Sequence, residues 1–377
     1  MHDPRLDRLA KVLVNYSVAV RKDDLVRISA PALAEPLVVA VYREVLAAGG
    51  HPVIRMSPDA CQEVFLKYAS ERQLKYVSRL ARQEVSTIDA HIGIWADENT
   101  KALTNVDPKR QATVSRARKP IMDIFLRRAA LRGPKKLRWT GTQFPNHAAA
   151  QDAEMSLTEY EEFVFGAGKL DARDPAAEWK KLGVAQERLC DLLNKAREVR
   201  FVTPQGTDLR LGVKGRCWIN CDGHANFPDG EVFTGPVEDA TEGVVCYSFP
   251  AVYGGREVHD IRLRFRAGRV VEASASKGED FLVRMLDQDK GARVLGELAL
   301  GCNYDITRYT RNTLFDEKIG GTFHCALGAA YPETGGRNQS GLHWDMVCDL
   351  RKGGRVEVDG KLISRNGRFL DPRLPRR

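Results

Sequence analysis

An α/β N-terminal domain with a mainly parallel sheet, followed by an α+β, largely antiparallel C-terminal domain, is the fold this sequence predicts. Three observations predict it. Through about residue 150, short apolar strand-like runs alternate with amphipathic segments of helix length, the pattern of parallel βαβ units. From Val199 onward the strands follow one another through Gly-rich turns, the pattern of antiparallel pairing. Between these textures, residues 151–196 read as helical and as a link, which places the domains at 1–196 and 197–377.

The individual elements follow in order. Leu6, Leu9, Leu13 and Tyr16 recur at helical spacing. Leu25–Ser29 is a short strand, and Leu33–Ala48 is an apolar helix closed by Gly49-Gly50, where a left-handed cap favours glycine. Pro52–Met56 is a strand, Glu63–Ser78 a helix, Ala90–Ala96 a buried strand, Asp107–Arg132 a long helix and Lys136–Thr140 a further strand. The link contains helices at Met155–Ala167 and Glu178–Ala196, broken at Asp171–Pro175. In the second half, strands are expected at Arg200–Thr203, Asp208–Val213, Glu231–Thr234 and Gly243–Phe249. Val258–Phe265 and Arg269–Ala275 form a hairpin around Ala267-Gly268, Gly278–Leu300 reads as helical, and Gly353-Gly354 and Asp359-Gly360 mark closing turns.

Composition narrows the function classes. The 377 residues are 43% hydrophobic and 29% charged, which suits a folded chain with substantial cores rather than a disordered one. The net charge of +8 is spread thinly, with small clusters at Arg116–Lys119, Arg127–Lys136 and Arg373–Arg377, and without an RNA-binding aromatic signature. These read as solvated faces, so no nucleic-acid partner is expected. No run approaches the roughly 18 apolar residues that span a bilayer, and the charged N-terminus does not fit a signal peptide. Eight scattered cysteines do not form a disulfide framework. Cys217 and Cys221 lack the second pair of a zinc ribbon. A cytoplasmic protein without membrane association is expected. Neither a G-x-G-x-x-G nor a P-loop follows the first strand, so a nucleotide site has no support.

The chemistry gathers in the C-terminal half. His343-Trp344-Asp345 places an imidazole and a carboxylate two residues apart, on one face of any strand. Alone, this is more often the pattern of a hydrogen-bonded structural histidine. Glu231 follows the turn Asn226–Gly230 at a strand start, and Glu297 lies in an apolar helix-to-loop segment ending at Gly301. A carboxylate in apolar surroundings is costly unless it is paired or binds metal. With His324 these residues supply three carboxylates and two imidazoles, a ligand count for two ions that share one carboxylate. Mixed nitrogen and oxygen ligation suits Zn²⁺, Co²⁺ or Mn²⁺. Two such ions together activate water and polarise a carbonyl.

Several segments then resemble the thermophilic metallo-aminopeptidase family of the aminopeptidase T and aminopeptidase S type. They are Asn312–Lys318 (NTLFDEK), His324–Gly328, Tyr331–Gly336 and His343–Asp345, with Gly230–Thr234 and Gly296-Glu297 upstream. A softer likeness runs through the N-terminal half, at Gly49–Pro52, Glu98–Thr100 and Met155–Glu161. The resemblance implies an α/β N-terminal domain, a C-terminal catalytic domain, a homodimer, a peptide substrate and an exopeptidase with two divalent ions, usually zinc or cobalt. It implies Glu231, Glu297, His324, His343 and Asp345 as ligands with Glu297 bridging, and Tyr331 as the catalytic tyrosine. Glu317 is the candidate to carry a proton to the leaving amine. The chain departs from the pattern in having two extra residues between Glu317 and His324 and only 19 positions from His324 to His343, both beside the expected site.

Two rivals remain at this point. A ring-cleaving dioxygenase of a related branch would hold one Fe(II) with His324, His343 and Asp345, and would leave Glu231 and Glu297 without a task. A non-catalytic binding module would make all five residues incidental.

Overall fold

The computed structural model describes residues 3–376. The chain forms two compact units: the residues up to Ala176 together with Gly223–Phe227, and Ala177–Asp222 together with Pro228 onward. The helix Pro175–Leu193, expected to link the domains, therefore packs almost entirely with the second unit.

The first unit is built on a five-stranded parallel sheet in the order His51–Ser57, Leu25–Pro31, Ala90–Trp95, Arg138–Gln143, Asn226–Phe227. The fifth strand has two residues and was expected to be part of a turn. It comes from the second half of the sequence. Val26 and Ile28 sit opposite Ala90 and Ile92, and all four are fully buried on one face of the sheet, while Arg27, Ser29 and His91 on the other face are half-buried. The helix Glu35–Ala47 ends as expected, with Gly49 at φ +82° and the Gly50 amide donating to the Val45 carbonyl. The stretch read as one helix at Glu63–Ser78 is instead two, Asp59–Tyr68 and Glu71–Leu74. Ser70 and Gln73 form a capping box that starts the second.

One group in this sheet ties stability to pH. His91 accepts a hydrogen bond at Nδ1 from Arg27 Nε at 3.2 Å and packs edge-on against Phe125. Burial, with the Arg27 charge beside it, pushes its pKa down to about 4. The folded state therefore resists a proton that the unfolded chain accepts. Stability is unaffected above about pH 6.5 and falls as pH drops through the window from 6.5 to 4. Replacing His91 with Gln is expected to remove about 2–3 kcal/mol of this acid destabilisation. Urea melts at pH 7 and pH 4.5 check it, and an acid loss equal to that of the parent would refute the assignment.

The second unit contains two large antiparallel sheets. The eight-stranded sheet runs Arg269–Ser274, Arg262–Arg266, Thr241–Cys246, Asp208–Gly212, Glu198–Val202, Arg355–Val358, Lys361–Arg365, Arg368–Phe369. The five-stranded sheet runs His343–Asp349, Thr322–Gly328, Leu295–Gly301, Glu231–Thr234, Ile219–Cys221. One face of this second sheet presents Leu298, Leu300, Phe323, Cys325, Trp344 and Met346 to a core shared with Phe201, Leu209, Val245 and Leu263 of the first. Phe323 stacks on Phe201 with ring centroids 4.0 Å apart. Full burial of each such large side chain contributes about 2–3 kcal/mol. The hairpin around Ala267-Gly268 forms as expected, with both residues at positive φ.

The segment read as helical over Gly278–Leu300 is helical only at Glu279–Leu286, and Leu295–Gly301 is a fully buried strand at the centre of its sheet. Leu298 and Leu300 alternate with Ala299 and Gly301. Because small residues count as apolar, the period-two signal is blurred into a continuous run. The glycines are required by close packing. A Cβ on Gly296 would meet the Ala329 carbonyl oxygen at 2.1 Å, and one on Gly301 the Ile319 oxygen at 2.1 Å.

Candidate metal centre

The register of the five-stranded sheet assembles the site. Glu231 lies opposite Gly301, His324 opposite Ala299, and His343 opposite Gly328. Ala326 lies between Glu297 on one side and Asp345 on the other. Since directly opposed residues share a face and alternate residues return to it, all five predicted ligands project from the face opposite the core. Gly301, Ala299, Ala326 and Gly328 are cross-strand neighbours of the ligands on that face, and Cys221 and Val347 flank Glu231 and His324 on their other sides. Glu297 thus belongs to a central strand rather than to a helix-to-loop segment. The same period of two brings His343 and Asp345 together.

The distances are short. Glu297 Oε1 lies 3.5 Å from His324 Nε2, and Glu297 Oε2 lies 3.3 Å from His343 Nε2. Glu231 Oε2 is 3.6 Å from His324 Nε2, and Asp345 Oδ1 is 3.5 Å from His343 Nε2. Each imidazole is oriented through its other nitrogen. Nδ1 of His324 faces the Glu317 carbonyl at 3.2 Å, and Nδ1 of His343 faces that of Ala329 at 2.9 Å. Because a carbonyl only accepts, Nδ1 carries the proton in each, and a neutral ring presents its Nε2 lone pair to the cluster. Glu231 Oε2, His324 Nε2 and Asp345 Oδ1 are buried with no hydrogen-bond partner. Buried polar atoms left this way are costly, and these three converge with ligand-type chemistry. Two groups of donors, Glu231–Glu297–His324 and Glu297–His343–Asp345, each have their ligand atoms within 4.8 Å of one another, with Glu297 in both. The residues present therefore fit a divalent-ion centre.

The charges depend on one another. Burial lowers the affinity of His324 for a proton, but Glu297, Glu231 and Glu317 outweigh it and lift its pKa to about 9. Burial likewise opposes the charged form of His343, yet Asp345 and Glu297 raise it to about 11. Asp345 is held far below the usual carboxylate range: burial opposes this, and the His343 imidazole beside it with the charge of His324 prevails. Glu231 is pushed up by burial against the pull of Lys318, as is Glu317 more strongly. A divalent cation held there would do the work that protons on the two imidazoles otherwise do.

Two residues that sequence reasoning passed over belong to the same cluster. Lys318 is fully buried, with Nζ bonded to Glu317 Oε2 and 3.2 Å from Glu231 Oε1. Asp229 is buried with its pKa raised to about 8, because burial outweighs the nearby Lys318 charge. Lys318 stood within the NTLFDEK motif without a role. Asp229 stood in the turn before Glu231, where spacing gives no hint of burial. Glu317 is close to His324 and Asp345, with ligand atoms within 4.8 Å. Tyr331 is 41% exposed, its ring edge-on to His343 at 5.2 Å and to Phe233 at 5.4 Å. Of Cys217 and Cys221, only Cys221 is grouped with Asp229 and Glu231 among the described residues. All eight cysteines are free thiols.

Fold and donor set together define a metalloprotease. A profile of the thermophilic metalloprotease (M29) family matches residues 2–369, and the chain belongs to that family. Within it, the chain is a metallo-aminopeptidase, an enzyme. It is 28% identical to aminopeptidase 2 of Geobacillus stearothermophilus over 95% of each chain. It is 31% identical to aminopeptidase T of Thermus aquaticus, over 72% of this chain and 74% of that one. Wild-type AmpT from Thermus thermophilus superimposes with a TM-score of 0.84 at 26% identity, covering 97% of this chain and 99% of that one. The 2,5-dihydroxypyridine dioxygenase of Pseudomonas putida KT2440 shares the fold at a TM-score of 0.60 and 14% identity, over 97% of each. Among the described residues no helix is long and apolar enough to cross a membrane.

Proposed function

We propose that the enzyme releases N-terminal residues from peptides by means of two divalent ions, Zn²⁺, Co²⁺ or Mn²⁺. One would be held by Glu231, Glu297 and His324, the other by Glu297, His343 and Asp345. The observation that carries this reading is the division of Glu297, one carboxylate oxygen toward each histidine. Among the described residues His324 and His343 never fall in the same donor group, while Glu297 and Asp345 each group with both. This favours two ions over the single iron of a dioxygenase, which would need both histidines on one ion. Charge agrees. When all are ionised, the five buried or largely buried carboxylates at 229, 231, 297, 317 and 345 and the Lys318 ammonium leave four negative charges, which two divalent ions balance.

When bound, the ions would supply Lewis-acid polarisation of the scissile carbonyl and a water of lowered pKa. The remaining tasks fall to this chain's residues. Although the Tyr331 residue is partly exposed, desolvation of its hydroxyl beside the acidic cluster, with the charges of Glu297 and Asp345, pushes its pKa well above the ordinary tyrosine value, so the hydroxyl keeps its proton and can donate to a developing oxyanion. Glu317, pushed up by burial, is the carboxylate placed to take up a proton and pass it to the leaving amine. The homodimer and the cytoplasmic location carried over from the resemblance and composition belong to the same reading.

The test is metal analysis of the purified protein beside hydrolysis of aminoacyl-p-nitroanilides after chelation and add-back of Zn²⁺, Co²⁺ or Mn²⁺. Two ions per chain and metal-restored release are expected. One iron and no hydrolysis would instead favour the dioxygenase chemistry. Tyr331→Phe is expected to keep its ions and to lose about 10²-fold in kcat. A kcat within about twofold of the parent would remove Tyr331 from the mechanism.

A further inference from the structure

Lysine is among the residues least often fully buried, yet the side chain of Lys318 is 1% exposed. Its ammonium bonds one oxygen of Glu317 and lies 3.2 Å from Oε1 of Glu231. The other oxygen of Glu231, Oε2, has no hydrogen-bond partner and faces His324 Nε2 at 3.6 Å. The clamp on Oε1 therefore fixes which oxygen Glu231 turns to the centre. The same ammonium leaves Glu317 one oxygen with which to carry a proton. Asp229 is the third acidic neighbour of Lys318, so a single ammonium is shared among three buried or largely buried carboxylates.

We propose that Lys318 is a positioning residue of the metal centre: a cation carried by the chain that holds Glu231 and Glu317 by one oxygen each and weakens the pull of the acidic cluster on divalent ions. The inference rests on the two-ion reading above. Two charges a few ångströms apart in a buried site interact strongly, so a fixed positive charge beside Glu231 opposes the entry of a further cation while it orients the carboxylates. A lysine that merely stabilised the fold would have the opposite signature, because its loss would loosen the site and weaken ion binding.

The test compares the full-length parent, Lys318→Met and Lys318→Arg. The metal-stripped chains are titrated calorimetrically with Zn²⁺, and the reloaded enzymes are assayed on an aminoacyl-p-nitroanilide. Lys318→Met is expected to bind Zn²⁺ about tenfold more tightly at its weaker site, and to lose about tenfold or more in kcat with KM within about threefold of the parent. Unchanged or weaker Zn²⁺ binding, or a parental kcat, overturns the proposal. Should Lys318→Met not fold, Lys318→Arg carries the test. It keeps the charge and two donor edges, so Zn²⁺ affinity stays within about threefold of the parent, and tighter binding in this variant overturns the proposal. A parent that neither takes up Zn²⁺ nor hydrolyses the substrate would overturn the two-ion reading itself. A parent that does both, beside an unaltered Lys318→Met, overturns the role of Lys318 alone.

Discussion

Replacing Glu297 with alanine is expected to abolish peptide hydrolysis while leaving the second unit folded. Glu297 is the residue common to both donor groups, so its loss takes a ligand from each. Its cross-strand neighbour on the site face is Ala326, and the core-side packing of the same strand, through Leu298 and Leu300, is untouched. The expected loss is about 10³-fold or more in kcat/KM, about 4 kcal/mol of transition-state stabilisation. Far-UV circular dichroism should remain that of the parent, and metal analysis should show fewer ions. His343→Ala is expected to behave alike, because Nε2 of His343 reaches both Glu297 and Asp345. Near-parental turnover in either variant would sink the two-ion assignment.

Chelation is expected to lower the thermal stability of the second unit without changing that of the first. Glu231, Glu297, Glu317 and Asp345 crowd into one buried cluster, and cations bound there hold them together only in the folded state. A ligand at about a hundred times its Kd adds about 2.7 kcal/mol. For a unit of this size that corresponds to roughly 5–10 °C in Tm. Added NaCl should not restore the loss, because salt screens buried charges poorly, whereas Zn²⁺ or Co²⁺ should. Calorimetric scans with and without chelator check this, and a transition unmoved by chelator would mean that the acidic cluster is balanced by the protein alone.

What could be read from the sequence follows from which signals are local. The two fold textures, the Gly49-Gly50 helix stop and the Ala267-Gly268 hairpin are local, and each forms as expected. His343 and Asp345 were legible as a pair because strand periodicity puts them on one face. Glu297 was legible as a charge in apolar surroundings, but its strand was not, since Gly296, Ala299 and Gly301 hide the alternation. Lys318 and Asp229 carry no local signal. Their burial against Glu231 depends on loops meeting the end of an interior strand, a long-range event that neither spacing nor composition records. The two-residue strand Asn226–Phe227 is illegible for the same reason: it exists because Gly141 and Thr142 are there to pair with it.

The opposition of ligands and core across the five-stranded sheet has a consequence for how this enzyme can vary. A one-residue slip in strand pairing would send His324 and Glu297 into the hydrophobic interior and turn Phe323 and Leu298 out in their place. The hydrophobic effect therefore proofreads the ligand geometry: the pairing that buries the most apolar surface is the pairing that assembles the centre. The ligand spacing is thereby enforced from the side of the sheet that faces away from the centre.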